Sequence, residues 1–331
     1  MTKILVTGAT GCLGRNLCSA LRQAGYTITA TGRNSTIGQH LAVEGVTFQA
    51  CDLTDRDAVL TLLQDHSHVV HCAALSSAWG PDEHFRQANE VATANLVTAC
   101  LKHHVRRFIH ISTTAVYFDY RHRTAIRECD PLANPMVNAY ARSKWRAEQI
   151  VLNAVNEGLE PLILRPRGIF GPYDQSLFPR LLRAARLGIL PLPDGGRAIV
   201  DMTAVSNVCH AIGCALEADH DSVAGIYNIT NGEPWPIHLI LKRIIELTGL
   251  RLRLLPVPYM VMDALAAVLE AASRQRQGTE PVLTRYGVGL LAKHQTLDIN
   301  LTRRKLGYQP KISMDEGLKH FAAWWRGHLC Q

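Results

Sequence analysis

The stretch "KILVTGATGCLGRNL", residues 3–17, decides the fold of this chain. Its first five residues are mostly apolar and rich in β-branched types, which predicts a buried strand. Gly8, Gly11 and Gly14 follow, and a helical pattern begins among them. Glycines in this place let the backbone turn sharply and approach a pyrophosphate at a helix N-terminus. A tight structural turn is the plainer alternative, but a strand before the loop and a helix after it favour a dinucleotide site.

The glycine loop supplies the first predicted cofactor contacts. We expect the pyrophosphate to lie against Gly8, Thr10, Gly11, Cys12, Leu13 and Gly14. The end of the second strand predicts which dinucleotide binds, since NAD sites place an Asp or Glu there for the ribose hydroxyls. Residues 1–43 contain no acidic residue, and Arg33 follows Gly32 instead. A planar guanidinium can bind a 2′-phosphate, so NADP(H) is the expected cofactor and NAD the alternative; a surface arginine is the plain interpretation.

The composition excludes several classes of protein. The 331 residues are 47% hydrophobic and 19% charged, as in ordinary soluble proteins. An early glycine interrupts the apolar N-terminal run, and no apolar run reaches about 18 residues, so neither a signal peptide nor a membrane span is expected. Nine scattered cysteines without a C-x-x-C pair indicate reduced thiols and a cytoplasmic location. The net charge of +7 is spread along the chain without a nucleic-acid module, so no nucleic-acid partner is expected. The fifteen histidines form no convincing ligand set, and no metal is expected.

The first 165 residues alternate short apolar runs with amphipathic ones. The predicted strands are "KILVT" (3–7), "YTITAT" (26–31), "VTFQA" (46–50), "HVVHC" (68–72), "RFIHIS" (107–112), "PLILR" (161–165) and, later, "AGIYNIT" (224–230). This alternation predicts an α/β protein with a Rossmann-type doubly wound parallel sheet. A smaller, mainly helical C-terminal substrate lobe is expected to cover the sheet's carboxyl edge, where open α/β sheets bind ligands.

The domain boundaries follow from the same pattern. We predict an NAD(P)-binding Rossmann domain from residues 1–165 and about 200–231, and a substrate-binding lobe from about 166–199 and 232–331. The ends of the third and fourth strands add expected cofactor contacts. Asp52 and Leu53 suit the adenine, although Asp52 could simply cap a helix. Cys72, Ala73 and Ala74 let the backbone approach the cofactor.

The fifth strand and the helix after it predict catalysis. The strand ends with Ser112, Thr113 and Thr114, and "NAYARSK" later places Tyr140 and Lys144 one helical turn apart. Such a tyrosine can give a proton to a forming alkoxide if its pKa of about 10 falls toward neutrality, which needs about 4 kcal/mol for three units. A Y-x-x-x-K pair alone is weak, but the glycine loop, the Ser/Thr-ended strand and this pair in order predict carbonyl–alcohol redox chemistry.

The chain resembles the extended short-chain dehydrogenase/reductase family over essentially its whole length. The motifs that match are "TGATGCLG", "CDLTD", "HCAA", "ANEVATANL", "HISTTAVY", "YARSK" and "LRPRGIFGP". Less specific motifs make it look most like the 3β-hydroxysteroid dehydrogenase and β-keto acid reductase branch. They are "SLFPRLLRAAR", "VDMTAVSNV", "PVLTRYGVGLL" and "LGYQPKISMDEGL".

The resemblance implies roles for particular residues. Thr113 matches the catalytic Ser/Thr, Tyr140 the acid/base, and Lys144 the residue that binds the nicotinamide ribose and lowers the tyrosine pKa. The cofactor contacts that it implies are Asn89, Ser112, Tyr140, Lys144, Pro166 and Ile169. From their position after the sixth strand, the expected walls of an apolar substrate pocket are Phe170, Tyr173, Phe178 and Met202. The family also implies a homodimer formed through the helix that carries Tyr140.

Two departures narrow the activity, and alternatives stay open. Thr114 and Ala115 replace the Asp-Glu pair of the family's dehydratases, which disfavours dehydration. Arg33 points to exchangeable NADP rather than the tightly held NAD of sugar-nucleotide epimerases. We therefore expect a reductase or dehydrogenase acting on an apolar, steroid-like or β-keto acyl substrate, with an epimerase and a non-catalytic dinucleotide sensor as alternatives.

Two further segments carry weaker expectations. The loop at 117–135 contains Arg121, His122, Arg123 and Arg127, which could attract an anionic group, although most charged loops are simply solvated. The segment at 256–276 predicts an apolar helix that packs in the core or covers a lipophilic substrate. Peripheral contact with a membrane surface is the minority interpretation of that helix.

Overall fold

A computed structural model of the chain describes residues 2–174, 188–219, 222–275 and 279–329. The predicted pocket residue Phe178 lies outside these ranges. All structural statements below concern the described residues.

A seven-stranded parallel sheet forms the centre of the protein and confirms the predicted fold class. Its strands are β1 (Lys3–Thr7), β2 (Thr27–Gly32), β3 (Thr47–Ala50), β4 (His68–His71), β5 (Arg107–Ile111), β7 (Glu160–Pro166) and β12 (Ile226–Ile229). Their order across the sheet is β12-β7-β5-β4-β1-β2-β3. Each predicted strand boundary lies within two residues of the observed one. The order reverses at β1 and β4, which is where such sheets open a crevice for ligands.

Helices cover both faces of the sheet. The helices of this part are α1 (Cys12–Gln23), α2 (Ser35–Val43), α3 (Arg56–Leu62), α4 (Asp82–Phe85), α5 (Ala92–Lys102), α6 (Ala139–Asn153) and α7 (Val205–Leu216). One apolar core joins the sheet to α1, α2 and α7. A second core joins the opposite face to α3, α5 and α6. Because both faces are buried, the strands are apolar on both sides rather than alternating.

A π-helical segment, Arg86–Val91, connects α4 to α5 without a break. The wider π turn shifts the phase of the helix. The sequence pattern through Val91 and Asn95 is accordingly less regular than that of α1. Asn95 is only partly buried, and its Nδ2 donates to the Leu53 carbonyl at 3.0 Å.

The second lobe contains more strand than the sequence predicts. Its helices are α8 (Ile237–Thr248), α9 (Tyr259–Gln275), α10 (Arg285–Ala292), α11 (Asn300–Leu306) and α12 (Met314–Leu329). The short strands are β6 (Arg123–Ile126), β8 (Ile169–Phe170), β9 (Ile189–Pro193), β10 (Ile199–Val200), β11 (Thr203–Ala204), β13 (Trp235–Pro236), β14 (Arg253–Val257) and β15 (Gln295–Leu297). A third core, which includes Phe170 and Phe321, fills this lobe.

Strand β6 lies inside the basic loop at 117–135 and pairs in parallel with β15. It completes a four-stranded sheet of order β13-β10-β15-β6. The loop is therefore partly an ordered edge strand, which ties the region after β5 to the C-terminal part of the chain.

Helix α9 packs on one side only. Met262 and Ala266 are buried with Val288 of α10. Met260 and Val268 on the other side are 81% and 66% exposed. Within the described ranges, no helix combines the length and apolarity needed to cross a membrane.

Candidate active site at the carboxyl edge of the sheet

The glycine loop packs closely against the neighbouring strand. Gly8 has a φ of +65°, and a Cβ there would lie 2.6 Å from the backbone nitrogen of Ala73. A Cβ on Gly14 would overlap the carbonyl oxygen of Gly8. The Ala9 amide donates to the Thr31 carbonyl at 3.0 Å, which ties the loop to β2. Glycine is thus required here by the loop's own packing.

The N-terminus of α1 fits an anion. Gly11 is its N-cap, no side chain caps the first turn, and no acidic residue lies in that turn. The backbone N–H groups and the positive end of the helix dipole remain available for a phosphate. The guanidinium carbon of Arg15 lies 3.7 Å from the centroid of the Tyr173 ring. Tyr173, predicted as a substrate wall, therefore lies at the phosphate end of the crevice.

The backbone just before Tyr173 is fastened to α1. The Pro172 carbonyl accepts hydrogen bonds from Cys12 Sγ at 3.3 Å and from Asn16 Nδ2 at 3.0 Å. These contacts hold the segment after β8 over the start of the helix.

Arg33 and Asp52 lie near each other beyond the ends of β2 and β3. Both side chains are exposed. Hydrogen bonds from Thr54 lower the pKa of Asp52, and the nearby positive charge of Arg33 lowers it further. Asp55, not Asp52, caps α3 by accepting from Asp57 and Ala58. Asp52 therefore does not cap this helix, which was the alternative to a cofactor contact. The contacts of Asp52 and Leu53 with adenine stay predictions.

Tyr140 and Thr113 meet at the opposite end of the crevice. Asn138 caps α6 by accepting from the Ala141 amide at 2.8 Å, which fixes where the helix begins. Thr113 precedes a 3₁₀ turn, and its Oγ1 accepts from the Ala115 amide at 3.1 Å. Burial raises the pKa of the Tyr140 phenol, and the adjacent Thr113 hydroxyl lowers it by less. The structure therefore brings the predicted acid/base and the predicted orienting hydroxyl together.

Lys144 points toward β5. Its Nζ donates to the Ile111 carbonyl at 2.7 Å and lies 3.3 Å from His110 Nε2. Only 2% of the lysine is exposed. Burial lowers the pKa of Lys144 to about 8, while Glu148 opposes the shift. The net shift of the Tyr140 phenol's pKa is upward, because burial outweighs the effect of the Thr113 hydroxyl. The lowered pKa expected from the sequence includes the charge of an oxidised nicotinamide, and it stays a prediction.

Two buried histidines lie behind Lys144. Because Nε2 of His110 faces an ammonium donor, His110 carries its proton on Nδ1, which has no hydrogen-bond partner in the described chain. His71 is bound to Thr7 Oγ1 at 2.7 Å and Thr93 Oγ1 at 3.0 Å. Burial lowers the pKa of both rings, so both are neutral around pH 7.

Asn89 holds the loop after β4 against α6. Its Oδ1 accepts from the Leu75 amide at 2.8 Å, and its Nδ2 donates to Ser143 Oγ at 2.8 Å. Ser143 directly precedes Lys144. Asn89 is buried in the π-helical segment, so its side chain positions the site, and its predicted contact with a cofactor stays a prediction.

The remaining predicted site residues differ in placement. Ser112 is buried, and its hydroxyl donates to Glu148 rather than to the crevice. Ile169 of β8 pairs with Thr203 of β11, and this pairing fixes the backbone after Pro166. Cys72, Ala73 and Ala74 follow β4 beside the glycine loop.

Two predicted walls of the substrate pocket are buried in the core of the second lobe. Phe170 has no exposed surface there, which argues against substrate contact. Met202 is 7% exposed in the same core.

Sequence reasoning missed two polar residues of this region: Tyr286, which lies near Tyr140, and Arg167, which lies near Tyr286. Arg167 follows Pro166 at the end of β7 and is 8% exposed. Tyr286 of α10 packs edge-on against Phe118, with ring centroids 5.6 Å apart. Burial raises the pKa of the Tyr286 phenol. The charge of Arg167 lowers this pKa, and the neighbouring Tyr140 phenol raises it. The position of Arg167, directly after the carboxyl end of a central strand, could have marked it as a candidate site residue from the sequence.

Comparisons with known proteins agree with this architecture. The NAD dependent epimerase/dehydratase family matches residues 4–230. The 2-alkyl-3-oxoalkanoate reductase of Stenotrophomonas maltophilia is 34% identical over 327 residues, covering 97% of this chain and 98% of that protein. The decarboxylating sterol-4-alpha-carboxylate 3-dehydrogenase of Mus musculus is 30% identical, covering 96% of this chain and 89% of that protein.

A solved structure of UDP-glucose 4-epimerase from Thermotoga maritima with UDP-glucose superposes with a TM-score of 0.80 at 22% identity. It covers 99% of this chain and 100% of that one. At this identity the likeness shows the fold alone.

The chain belongs to the NAD-dependent epimerase/dehydratase family. Within it, the chain is an NAD(P)-dependent enzyme of the extended short-chain dehydrogenase/reductase type.

The Lys144 side chain should titrate near pH 8, because burial disfavours its charged form. An exposed lysine titrates near 10.4. The charge is then largely present at pH 7 and is lost as the pH rises above about 8. Carbon-13 NMR of the lysine Cε signals against pH measures this, and the signal lost in Lys144→Met assigns it. A midpoint above 10 would contradict the assigned environment.

Proposed function

We propose that this protein interconverts a ketone and a secondary alcohol on an apolar, steroid-like or β-keto acyl substrate, using NADP(H). The observation that carries the proposal is the Tyr140 phenol beside the Thr113 hydroxyl, with Lys144 on the next turn of α6. The nicotinamide cofactor supplies or accepts a hydride when bound. Tyr140 donates its proton to the forming alkoxide, and takes it back in the reverse direction. Thr113 orients the carbonyl oxygen by hydrogen bonding.

At neutral pH the Tyr140 phenol carries the proton that reduction of a carbonyl requires. A raised pKa keeps the phenol protonated at neutral pH, so the proton donor is ready when a carbonyl binds. Oxidation needs a tyrosinate, which requires positive charge from outside the local cluster. Lys144 is positively charged below about pH 8, but its ammonium donates a hydrogen bond to the Ile111 carbonyl.

The relatives support a redox function over the alternatives. A reductase and a sterol dehydrogenase at 34% and 30% identity both have names that describe ketone–alcohol chemistry. The epimerase neighbour, at 22% identity, supports the fold only. A sugar-nucleotide epimerase remains the second candidate, since it would use the same Thr–Tyr–Lys set with tightly retained NAD. A non-catalytic sensor has no need of these three residues together.

The NADP preference rests on Arg33. Its charge lies beyond β2 beside Asp52, and residues 1–43 offer no carboxylate for the ribose hydroxyls. We also propose a cytoplasmic location, since the described cysteines are all free. A homodimer through the outer face of α6, and at most peripheral contact with membranes, complete the proposal.

Tyr140→Phe should abolish turnover, at least about 1,000-fold, because the group that gives its proton to the forming alkoxide is removed. NADPH affinity should change less than threefold, since the ring is kept. Initial rates with lipophilic ketones and fluorescence titration of NADPH measure the two effects. Tyr26→Phe, which only loses a hydrogen bond to Glu217, is the matched control. Unchanged turnover in Tyr140→Phe would refute the mechanism.

Arg33→Ser should weaken NADPH binding roughly 10- to 100-fold, because charge-assisted hydrogen bonds to a phosphate contribute about 1.5–3 kcal/mol each. NADH binding should stay within about threefold. Arg251→Ser removes the same charge from an exposed position in the second lobe and should change neither. Equal loss for both nucleotides would remove Arg33 as the phosphate contact. Tightly retained NAD in the purified protein would instead favour the epimerase.

A further inference from the structure

Arg167 is a buried cation whose guanidinium forms no direct ion pair within the described residues. It is 8% exposed, its Nε lacks a hydrogen-bond partner, and no ion pair reaches its guanidinium within the described chain. An unpaired buried charge is costly, so such a group normally has a partner. Either the partner is another residue, or it is a ligand.

The backbone of Arg167 is fixed. Its amide donates to the Ile229 carbonyl at 3.1 Å, and its carbonyl accepts from Thr203 Oγ1 at 2.7 Å. Gly168 follows with a φ of +50°, in the left-handed region. The arginine is therefore built on the rigid end of β7 rather than on a free loop.

Its place in the sheet separates Arg167 from the phosphate end. β4 and β5 stand between β1 and β7, so the two strands are three spacings apart. At about 4.8 Å per spacing this is roughly 14 Å. The glycine loop after β1 holds the pyrophosphate in our proposal, so Arg167 lies at the reacting end instead.

The groups around Arg167 point to the catalytic pocket. Tyr286 is close enough to Arg167 and to Tyr140 for both to act on its phenol. The acid whose charge acts on Arg167 is Asp201, which is buried and accepts a hydrogen bond from the Leu297 amide at 2.8 Å. Asp201 and Arg167 influence each other's charge but form no ion pair in the described structure. Burial raises the pKa of Asp201 to about 6, so its carboxyl is mostly ionised at pH 7 and acts on Arg167 through space without a direct ion pair.

We propose that Arg167 binds a carboxylate of the substrate, close to the carbonyl or carbinol carbon, and so selects β-keto and β-hydroxy acids over neutral ketones. This assignment rests on the proposed function and names the residue that sets its specificity. A single planar guanidinium matches one carboxylate in a bidentate pair. A carboxylate two bonds from a carbonyl held by Tyr140 would occupy the region that Tyr286 and Arg167 share.

The test compares an acid with its own ester. A long-chain 3-hydroxy acid is oxidised with NADP⁺, and its methyl ester is the neutral probe, since β-keto acids decarboxylate on standing. Arg167→Gln should raise KM for the acid roughly 10- to 100-fold and leave kcat and KM for the ester within about threefold. Arg251→Gln removes an exposed arginine of the second lobe and should leave both substrates unchanged. Equal losses for acid and ester, or no loss for either, would overturn the proposal.

A structural role for Arg167 predicts different results. If Arg167 mainly neutralises Asp201, Arg167→Gln lowers the melting temperature by many degrees and Arg167→Lys restores it. Our proposal predicts a melting temperature at or above that of the wild type, because an unpaired buried charge has been removed. It also predicts that Arg167→Lys recovers little of the acid's KM, since an ammonium lacks the bidentate geometry.

A binding measurement can test the carboxylate site independently of the proposed redox activity. Calorimetry with a long-chain fatty acid and its methyl ester needs no turnover. The wild type should bind the acid at least tenfold more tightly than the ester, and Arg167→Gln should lose that difference. If neither 3-hydroxy substrate is oxidised but the acid preference is present and depends on Arg167, the redox proposal fails while the carboxylate site stands. If the wild type shows no preference for the acid, the carboxylate site fails.

Discussion

The active site depends on one buried ion pair between α6 and β7. Arg165 donates to Glu148 through Nε at 2.8 Å and Nη2 at 2.6 Å, and both side chains are almost fully buried. Ser112 also donates to Glu148, and Arg165 Nη1 donates to Tyr117 Oη at 2.6 Å. Breaking such a pair typically costs 3–5 kcal/mol. Because Glu148 lies one turn beyond Lys144, the pair fixes the rotation of α6 and thereby directs Lys144 at β5 and Tyr140 at Thr113.

The two ends of the crevice are built by different means. At the phosphate end, glycines allow close backbone packing and leave the first turn of α1 open. At the reacting end, burial sets the charges: it raises the pKa of Tyr140 and lowers that of Lys144 to about 8. The chain thus prepares a protonated phenol by itself. A tyrosinate needs further positive charge, which a bound oxidised nicotinamide would add.

Periodicity and motif order predicted the sheet, its strands and the family, since these depend on local pattern. The Thr113–Tyr140 contact was predictable as well, because the carboxyl edge of a parallel sheet gathers strand ends. Other features depend on long-range contacts that no local pattern shows. The pairing of β6 with β15 joins residues far apart in the chain, and Phe170 is buried because Phe321 of α12 packs in the same core. Arg167 was overlooked because only the structure shows that its guanidinium is buried and forms no ion pair within the described residues.

The central claim is that a hydride passes between the nicotinamide and the substrate carbon while Tyr140 exchanges the proton. The most direct measurement uses NADPH deuterated at the transferred C4 position with a lipophilic β-keto substrate, followed by mass spectrometry of the product. The account predicts one deuterium on the new carbinol carbon for each NADP⁺ formed. Product without deuterium, or interconversion of nucleotide sugars with no net oxidation of added cofactor, would contradict it.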